Sequence, residues 1–130
     1  MANRITSLCI DCTDVELLVD FWTRVLDWQE TEREPGVVRI QARPGAPFAI
    51  DFCVVPDGPK VGKNRLHLDL NATDRDQAAE LERLLGLGAR PADVGQDLRD
   101  PGVTWHVLAD PEGNEFCLLR SRVEPSDALG

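Results

Sequence analysis

Titratable side chains that could bind a metal or transfer a proton lie on segments that alternate between apolar and polar residues. His67 and Asp69 interrupt a leucine run from Leu66 to Leu70, a pattern typical of a half-buried strand with two different faces. Because histidine titrates near neutral pH, His67 is a candidate metal ligand or general base. The alternative is a histidine that hydrogen-bonds a neighbour and lines a pocket, and we favour this over a metal ligand.

Carboxylates on other strand-like segments form a second group of candidates. Asp51, Asp69 and Glu115 each fall within such a segment. The alternation places Asp51 and Asp69 on the side away from the core, which makes these two the better candidates for a general base. The alternative is that each is a polar rim residue satisfied by its neighbours.

Aromatic and basic residues in two further segments are candidates for ligand contacts. Trp105 and His106 are adjacent, so on a strand they face opposite sides, and one of them is expected to line a pocket. Arg39 could pair with a ligand carboxylate, or it could lie on the surface.

Cys9 and Cys12 form a C-x-x-C sequence, which in redox proteins sits at the start of a helix. Cys12 does precede a helical pattern, but Cys9 falls within a strand-like segment. We therefore interpret both cysteines as packing residues.

The elements that must position these side chains occur twice in the chain. Four short motifs recur in the same order, 60 to 67 residues apart, which indicates two copies of one unit. The pairs are Cys12–Asp14 with Ala72–Asp74, Pro35–Val37 with Pro101–Val103, Arg43–Gly45 with Asp110–Gly113, and Asp51–Val54 with Glu115–Leu118.

Each copy is predicted to hold one helix and several strands. In the first copy, Leu18, Phe21, Trp22 and Val25 have the i, i+3, i+4, i+7 spacing of a buried helix face. Thr13 and, in the second copy, Thr73 are the predicted helix caps. The predicted strands are 5–11, 37–42 and 48–55 in the first copy, and 66–70, 103–109 and 115–120 in the second, with a further short strand near 90–94.

The composition favours a soluble protein that does not bind nucleic acid. The 14 basic and 23 acidic residues give a net charge of −9, which would repel both a phosphate backbone and an anionic membrane surface. The N-terminal segment has no signal-peptide pattern, so we expect a cytoplasmic protein with reduced cysteines.

The duplicated chain resembles the vicinal oxygen chelate superfamily, which includes glyoxalases, bleomycin resistance proteins and dioxygenases. Three segments carry the resemblance, and together they span nearly the whole chain. They are the Leu17–Leu26 helix, the Arg65–Leu70 strand and the hairpin at Asp110–Phe116, with sequence DPEGNEF.

The resemblance implies an α+β fold of two βαβββ modules, about 4–56 and 65–122, with curved mixed or antiparallel sheets around a central cleft and helices outside. These modules form one glyoxalase-like domain over 1–122, followed by a flexible tail, 123–130.

The superfamily places metal ligands on the first and last strands of each module. The resemblance assigns those positions to Ser7, His67, Cys117 and Cys53, with Asp51 as the alternative to Cys53. The predicted ligand-binding set also includes Asp69 and Trp105, and the tentative catalytic pair is His67 with Asp51.

The candidate ligands depart from the metal sites of the related enzymes. Only His67 matches the His, Gln and Glu ligands of glyoxalase-type sites, and only one half supplies the His that an extradiol dioxygenase needs. Cys53 and Cys117 are expected to be buried thiols that pack as apolar groups. The alternative is that they form a metal site with His67, which would hold zinc or nickel.

We therefore expect a protein that binds a small organic molecule in the cleft without a complete divalent-metal site and without a cofactor. The alternative function is a glyoxalase-type lyase or isomerase acting on a carbonyl compound. The resemblance also implies a homodimer. The shape of the pocket should depend on two loops, 56–64 and 92–100.

Overall fold

The computed structural model describes residues 2–125 and divides the chain into two compact units. The first unit ends at Pro59, and the second runs from Lys60 to Pro125. Each contains one helix and a four-stranded mixed sheet, which confirms the predicted α+β fold of βαβββ modules. Most of the predicted tail, from 126 onward, lies outside the described residues. Neither helix in the described part of the chain is long and apolar enough to cross a membrane.

The sheet of the first unit has the strand order β1-β4-β3-β2. Strands β1 and β4 are parallel, whereas β4, β3 and β2 are joined antiparallel. The elements are β1 (Ser7–Cys12), α1 (Val15–Leu26), β2 (Gln29–Glu34), β3 (Val37–Gln41) and β4 (Ala49–Val54).

Helix α1 covers one face of this sheet because its apolar residues share one side. Leu18, Phe21 and Trp22 are almost fully buried, and the rings of Phe21 and Trp22 meet edge to face at 5.1 Å. The N-cap is Asp14, whose carboxylate accepts the backbone N–H of Leu17, so the prediction of Thr13 as the cap was wrong.

Strand β2 was missed by the sequence analysis. Its sequence, QETERE, has no apolar residue and is exposed along most of its length. The strand lies at the sheet edge, where charged side chains protect against pairing with other chains. It pairs with β3 through a turn at Pro35-Gly36, in which Gly36 has φ +80°.

The sheet of the second unit repeats this topology with the order β5-β8-β7-β6. The N-cap of its helix is Asp76, which accepts the Ala79 N–H, and not the predicted Thr73. The elements are β5 (Leu68–Leu70), α2 (Gln77–Leu87), β6 (Arg90–Pro91), β7 (His106–Ala109) and β8 (Glu115–Leu118).

The hairpin between β7 and β8 is organised by the fully buried Asp110. Its carboxylate accepts hydrogen bonds from the backbone N–H of Glu112 and from the backbone and side-chain N–H groups of Asn114. Gly113 supplies the left-handed conformation that the turn requires, with φ +88°. This network fixes the start of β8 and therefore the position of Cys117.

Candidate functional site

The candidate site of the second unit lies on the sheet face opposite the buried Leu108 and Leu118. Asp69 on β5 is directly paired with Cys117 on β8, and His67 immediately precedes β5. Alternation along β5 turns Leu68 and Leu70 to one side and His67 and Asp69 to the other. Sequence analysis had placed His67 and Asp69 together on the non-core face, and the structure also brings Cys117 beside them.

These three side chains form a compact polar cluster. The Nε2 atom of His67 lies 3.2 Å from an oxygen of Asp69, and both side chains are close to half exposed. Burial and the nearby charge of Asp69, which also accepts a hydrogen bond from the thiol, raise the pKa of Cys117. Cys117 is therefore a protonated donor to Asp69 and is not an activated nucleophile.

The polar cluster forms one end of a cavity of about 360 Å³, whose lining belongs entirely to the second unit. Apolar side chains dominate the remaining wall. The lining residues are Lys63, His67, Asp69, Val94, Gln96, Trp105, Val107, Glu115, Phe116, Cys117 and Leu119.

Trp105 is the largest apolar side chain of the cavity wall. Its indole N–H donates to Oε1 of Gln96 at 3.0 Å, so the ring is held by the loop that follows β6. His106 does not line this cavity but borders an adjoining groove with Leu81 and Leu85 of α2, and Trp105 lies at the edge of both. Of the two adjacent residues, Trp105 is therefore the one that lines the cavity.

Two loops complete the cavity, as the sequence analysis expected. Lys63 comes from the loop before β5, and Val94 and Gln96 come from the loop between β6 and β7. Sequence analysis did not name these three residues, because neither loop has a pattern that fixes its path.

Glu115 is a structural acid at the base of the cavity. Its carboxylate accepts the backbone N–H of Asn64 at 3.2 Å and pairs with the ammonium of Lys60 at 3.1 Å. Burial alone would raise the pKa of Glu115, but these hydrogen bonds and charges outweigh it and hold the pKa below its usual range. Glu115 is thus an ionised anchor for the 60–64 loop.

The first unit presents Asp51 and Arg39 on the corresponding sheet face. Both oxygens of Asp51 accept from the Arg39 guanidinium, at 2.7 and 2.9 Å. A carboxylate engaged by a guanidinium in this bidentate manner is a poor general base, since protonation would break the pair. Asp51 as a catalytic residue therefore gains no support from its contacts.

Strand register addresses the choice that the sequence left open between Asp51 and Cys53. Cys9 is the sixty-residue equivalent of Asp69, and it pairs with Asp51 as Asp69 pairs with Cys117. By register, Asp51 is therefore the counterpart of Cys117, and Cys53 lies two residues further along β4. Asp51 and Cys53 still share one face of the strand.

Cys9 contacts Cys53 across the two parallel strands of the first unit, with 2.7 Å between the sulfur atoms. Sequence analysis interpreted Cys9 as a packing residue, yet it is exposed. Ser7 and Cys53 belong to the first unit, and His67 and Cys117 to the second. Their convergence in one cleft stays a prediction.

The second unit's cluster contains three groups that could bind a metal. Ligand atoms of His67, Asp69 and Cys117 all lie within 4.8 Å of one another. Nitrogen, oxygen and thiolate ligands together suit zinc, whose protein sites are built from histidine, carboxylate and cysteine. Binding would have to displace the proton that Cys117 donates to Asp69. The donor set therefore fits zinc, although the thiol must first be deprotonated.

The sequence and the fold match a known family. Residues 7–119 match the family model described as a glyoxalase-like domain, so the chain belongs to the glyoxalase-like family of the vicinal oxygen chelate superfamily. Among curated proteins, no match to the chain is found.

Solved structures share the fold over nearly the full chain. A glyoxalase-related enzyme from Fulvimarina pelagi is 18% identical, with TM-score 0.67, covering 99% of this chain and 96% of its own. A mutant of the fosfomycin resistance protein FosX from Listeria monocytogenes, complexed with Mn(II) and 1S,2S-dihydroxypropylphosphonic acid, is 13% identical (TM-score 0.69, coverage 95% and 93%). The trypanothione-dependent glyoxalase I of Leishmania major is also 13% identical (TM-score 0.62, coverage 92% and 87%).

Proposed function

We propose that this protein binds a small, flat organic molecule in the cavity of its second unit. The observation that carries the proposal is the arrangement of the cavity wall. Trp105, Val94 and Val107 offer an apolar surface, and the His67–Asp69 pair lies at the polar end. A pocket that is mostly apolar with a few polar groups is typical of small-molecule sites.

The chemistry of the wall defines the class of ligand. An aromatic ring could stack on the indole of Trp105, which is held in place by Gln96. A hydroxyl or amine on the ligand could donate to Asp69, which is half exposed and already accepts from neighbouring groups. We therefore expect a ring that carries a hydrogen-bond donor.

The test is calorimetric titration and thermal melting of the purified chain with a small panel of compounds. The panel contains tyramine, an aromatic ring with hydrogen-bond donors. It also contains bleomycin and fosfomycin, the two drugs that appear in the names of structurally similar proteins. Binding to the wild type should weaken at least tenfold in Trp105→Ala, a loss of about 1.4 kcal/mol. Trp28→Ala, in the first unit, is the matched control and should leave binding unchanged.

Failure would be clear from the same titrations. If every compound of the panel left the heat and the melting temperature unchanged, the cavity would not be a ligand site. An interaction module without a small ligand would then be favoured. Equal weakening in Trp105→Ala and Trp28→Ala would place the ligand elsewhere.

The second candidate function is a metal-dependent lyase or isomerase of glyoxalase type, favoured by the proximity of His67, Asp69 and Cys117. A bound zinc ion would polarise a substrate carbonyl. The oxygen of Asp69 that did not bind the zinc could then hold the proton taken from the neighbouring carbon. Stoichiometric zinc or nickel in protein purified without chelator, lost in His67→Ala, would favour this enzyme over the metal-free binding protein. A metal content of zero in both proteins would eliminate it.

The elemental analysis needs a control for Cys9 and Cys53, the two neighbouring cysteines of the first unit. Cys53→Ser removes a sulfur from the first unit and should leave any metal held by His67 in place. If Cys53→Ser abolished metal binding and His67→Ala did not, the metal would belong to the first unit.

A further inference from the structure

Two cysteines meet on the open sheet face of the first unit. Cys9 lies on β1 and Cys53 on β4, and the register pairs Cys9 with Asp51 and Cys53 with Asp11. The two cysteines are therefore diagonal neighbours that point to the same side, and their sulfur atoms are 2.7 Å apart. Cys9 is exposed and Cys53 is half-buried, so small molecules in solvent can reach the pair.

The short contact favours a direct bond over a bridging metal. Two thiolates on one tetrahedral zinc ion, each at about 2.3 Å, would lie roughly 3.8 Å apart. A disulfide bond is about 2.0 Å long, so the sulfur atoms need to approach by only a small further movement. Asp11 completes a possible three-ligand set, but the sulfur spacing is short for metal coordination.

We propose that Cys9 and Cys53 form a reversible disulfide and make the first unit a redox-modification site for low-molecular-weight disulfides. The thiolate of Cys53 attacks one sulfur of the small disulfide and releases one small thiol. The thiolate of Cys9 then attacks the sulfur of Cys53 and releases the second small thiol. Two protein thiols and one small disulfide thus yield one protein disulfide and two small thiols.

The order of attack follows from the surroundings of Cys9. Partial desolvation by the neighbouring strand, the hydrogen bond with Cys53 and the nearby charges of Cys53, Asp11 and Asp51 raise the pKa of Cys9 to about 12. Cys9 therefore keeps its proton at first. Once Cys53 carries the small thiol, it can no longer ionise or hold a proton between the two sulfurs, so two of the causes that raise the pKa of Cys9 are removed. Cys9 is thus the resolving cysteine.

The experiment exposes the full chain to mixtures of oxidised and reduced glutathione, blocks remaining thiols by alkylation, and measures intact mass and cross-linked peptides. The wild type should lose two hydrogens and yield a peptide that joins Cys9 to Cys53. Cys12→Ser is the matched control. It removes another thiol of β1 and should still form the disulfide between Cys9 and Cys53.

Single variants test the order of attack. Cys9→Ser should accumulate one glutathione on Cys53, because the resolving thiol is missing. Cys53→Ser should gain glutathione on Cys9 more slowly than Cys9→Ser gains it on Cys53, because desolvation and the charges of Asp11 and Asp51 still raise the pKa of Cys9. If Cys9→Ser and Cys53→Ser gain glutathione equally, the assigned order is overturned.

Two results would overturn the site itself. One is a wild type that keeps four free thiols in the most oxidising mixture, and the other is separate glutathione groups on Cys9 and Cys53. A bond between other cysteines, or between chains, would do the same. The wild-type mass is decisive without any variant, so a misfolded variant cannot obscure the outcome.

Discussion

The open sheet faces of the two units have the same strand register but opposite character. In the first unit, Asp51 is flanked on β3 by Arg39 and on β1 by Cys9. In the second, the matching Cys117 is flanked by Val107 and Asp69. An ion pair and a thiol pair cover the first face, whereas the second face forms the floor of a cavity.

The difference shows how a repeated fold can present two different surfaces at matching positions. A guanidinium at position 39 engages the carboxylate beside it, so neither group is available to a ligand. A valine at the matching position 107 makes no such bond and leaves apolar wall. The backbone supplies the same pleated surface in both units, and the side chains at matching positions decide whether it is paired or open.

The largest effect should come from the turn that positions the second face. Replacing Asp110 with Ala removes a fully buried carboxylate and the hydrogen bonds that it accepts from Glu112 and Asn114. We expect a loss of about 3 kcal/mol in the free energy of unfolding, measured by urea denaturation. The turn of the first unit has no such acid, so Arg43→Ala, at the position that the sequence repeat pairs with Asp110, should cost less than about 0.5 kcal/mol. Equal losses would mean that the two hairpins are stabilised alike.

A second substitution would give the second face the character of the first. Val107→Arg places a guanidinium at the position that matches Arg39, within reach of the cavity floor. The compound of the panel that binds the wild type best should bind at least tenfold more weakly, a loss of about 1.4 kcal/mol. Val107→Ile keeps the apolar wall and is the control for side-chain volume. Unchanged affinity in Val107→Arg would separate ligand binding from this cavity.

A pH experiment tests the anchor of the loop on the second face. The pKa of Glu115 is lowered in the folded chain, so its stabilising contribution is present above the ordinary glutamate pKa and is lost as the pH falls through the lowered value. Glu115→Gln should therefore be less stable than the wild type by about 1 kcal/mol at pH 7. The difference should shrink below pH about 4.

Urea denaturation between neutral and acidic pH measures this difference. Glu82→Gln, an exposed change on α2, should follow the wild type at every pH. A difference that persisted or grew in acid would show that Glu115 acts through packing and not through its charge.

Local patterns in the sequence were sufficient to predict the helices and most strands. The spacing of Leu18, Phe21 and Trp22 defined α1, and the leucine alternation identified the strand that became β5. Strand β2 was not predictable, because its charged sequence has no apolar alternation and pairs only as an edge. The caps were assigned one and three residues too early, since Asp14 and Asp76 compete with nearby threonines.

The residues of the candidate site were predictable only where the alternation along a strand indicates which face a side chain lies on. His67, Asp69 and Trp105 were found because period-two alternation assigns a side chain to a face. Gln96 and Lys63 were missed because they lie on loops whose path depends on distant contacts. The contact of Cys9 with Cys53 depends on the register of strands that are 44 residues apart, which no local pattern encodes.

The smallest expected effect concerns the ion pair of the first face. Arg39→Ala should lower the free energy of unfolding by about 0.5 kcal/mol, because the pair is bidentate but about a third of Arg39 is exposed to solvent. Arg24→Ala, which breaks the more exposed pair with Asp20, is the control and should change stability less. Urea denaturation at low and high salt measures both, and salt should reduce the Arg39 effect. If Arg39→Ala also created a binding site for the panel compounds, the guanidinium would be what keeps the first face closed. If it did not, the difference between the two faces would rest on the loops that enclose the second.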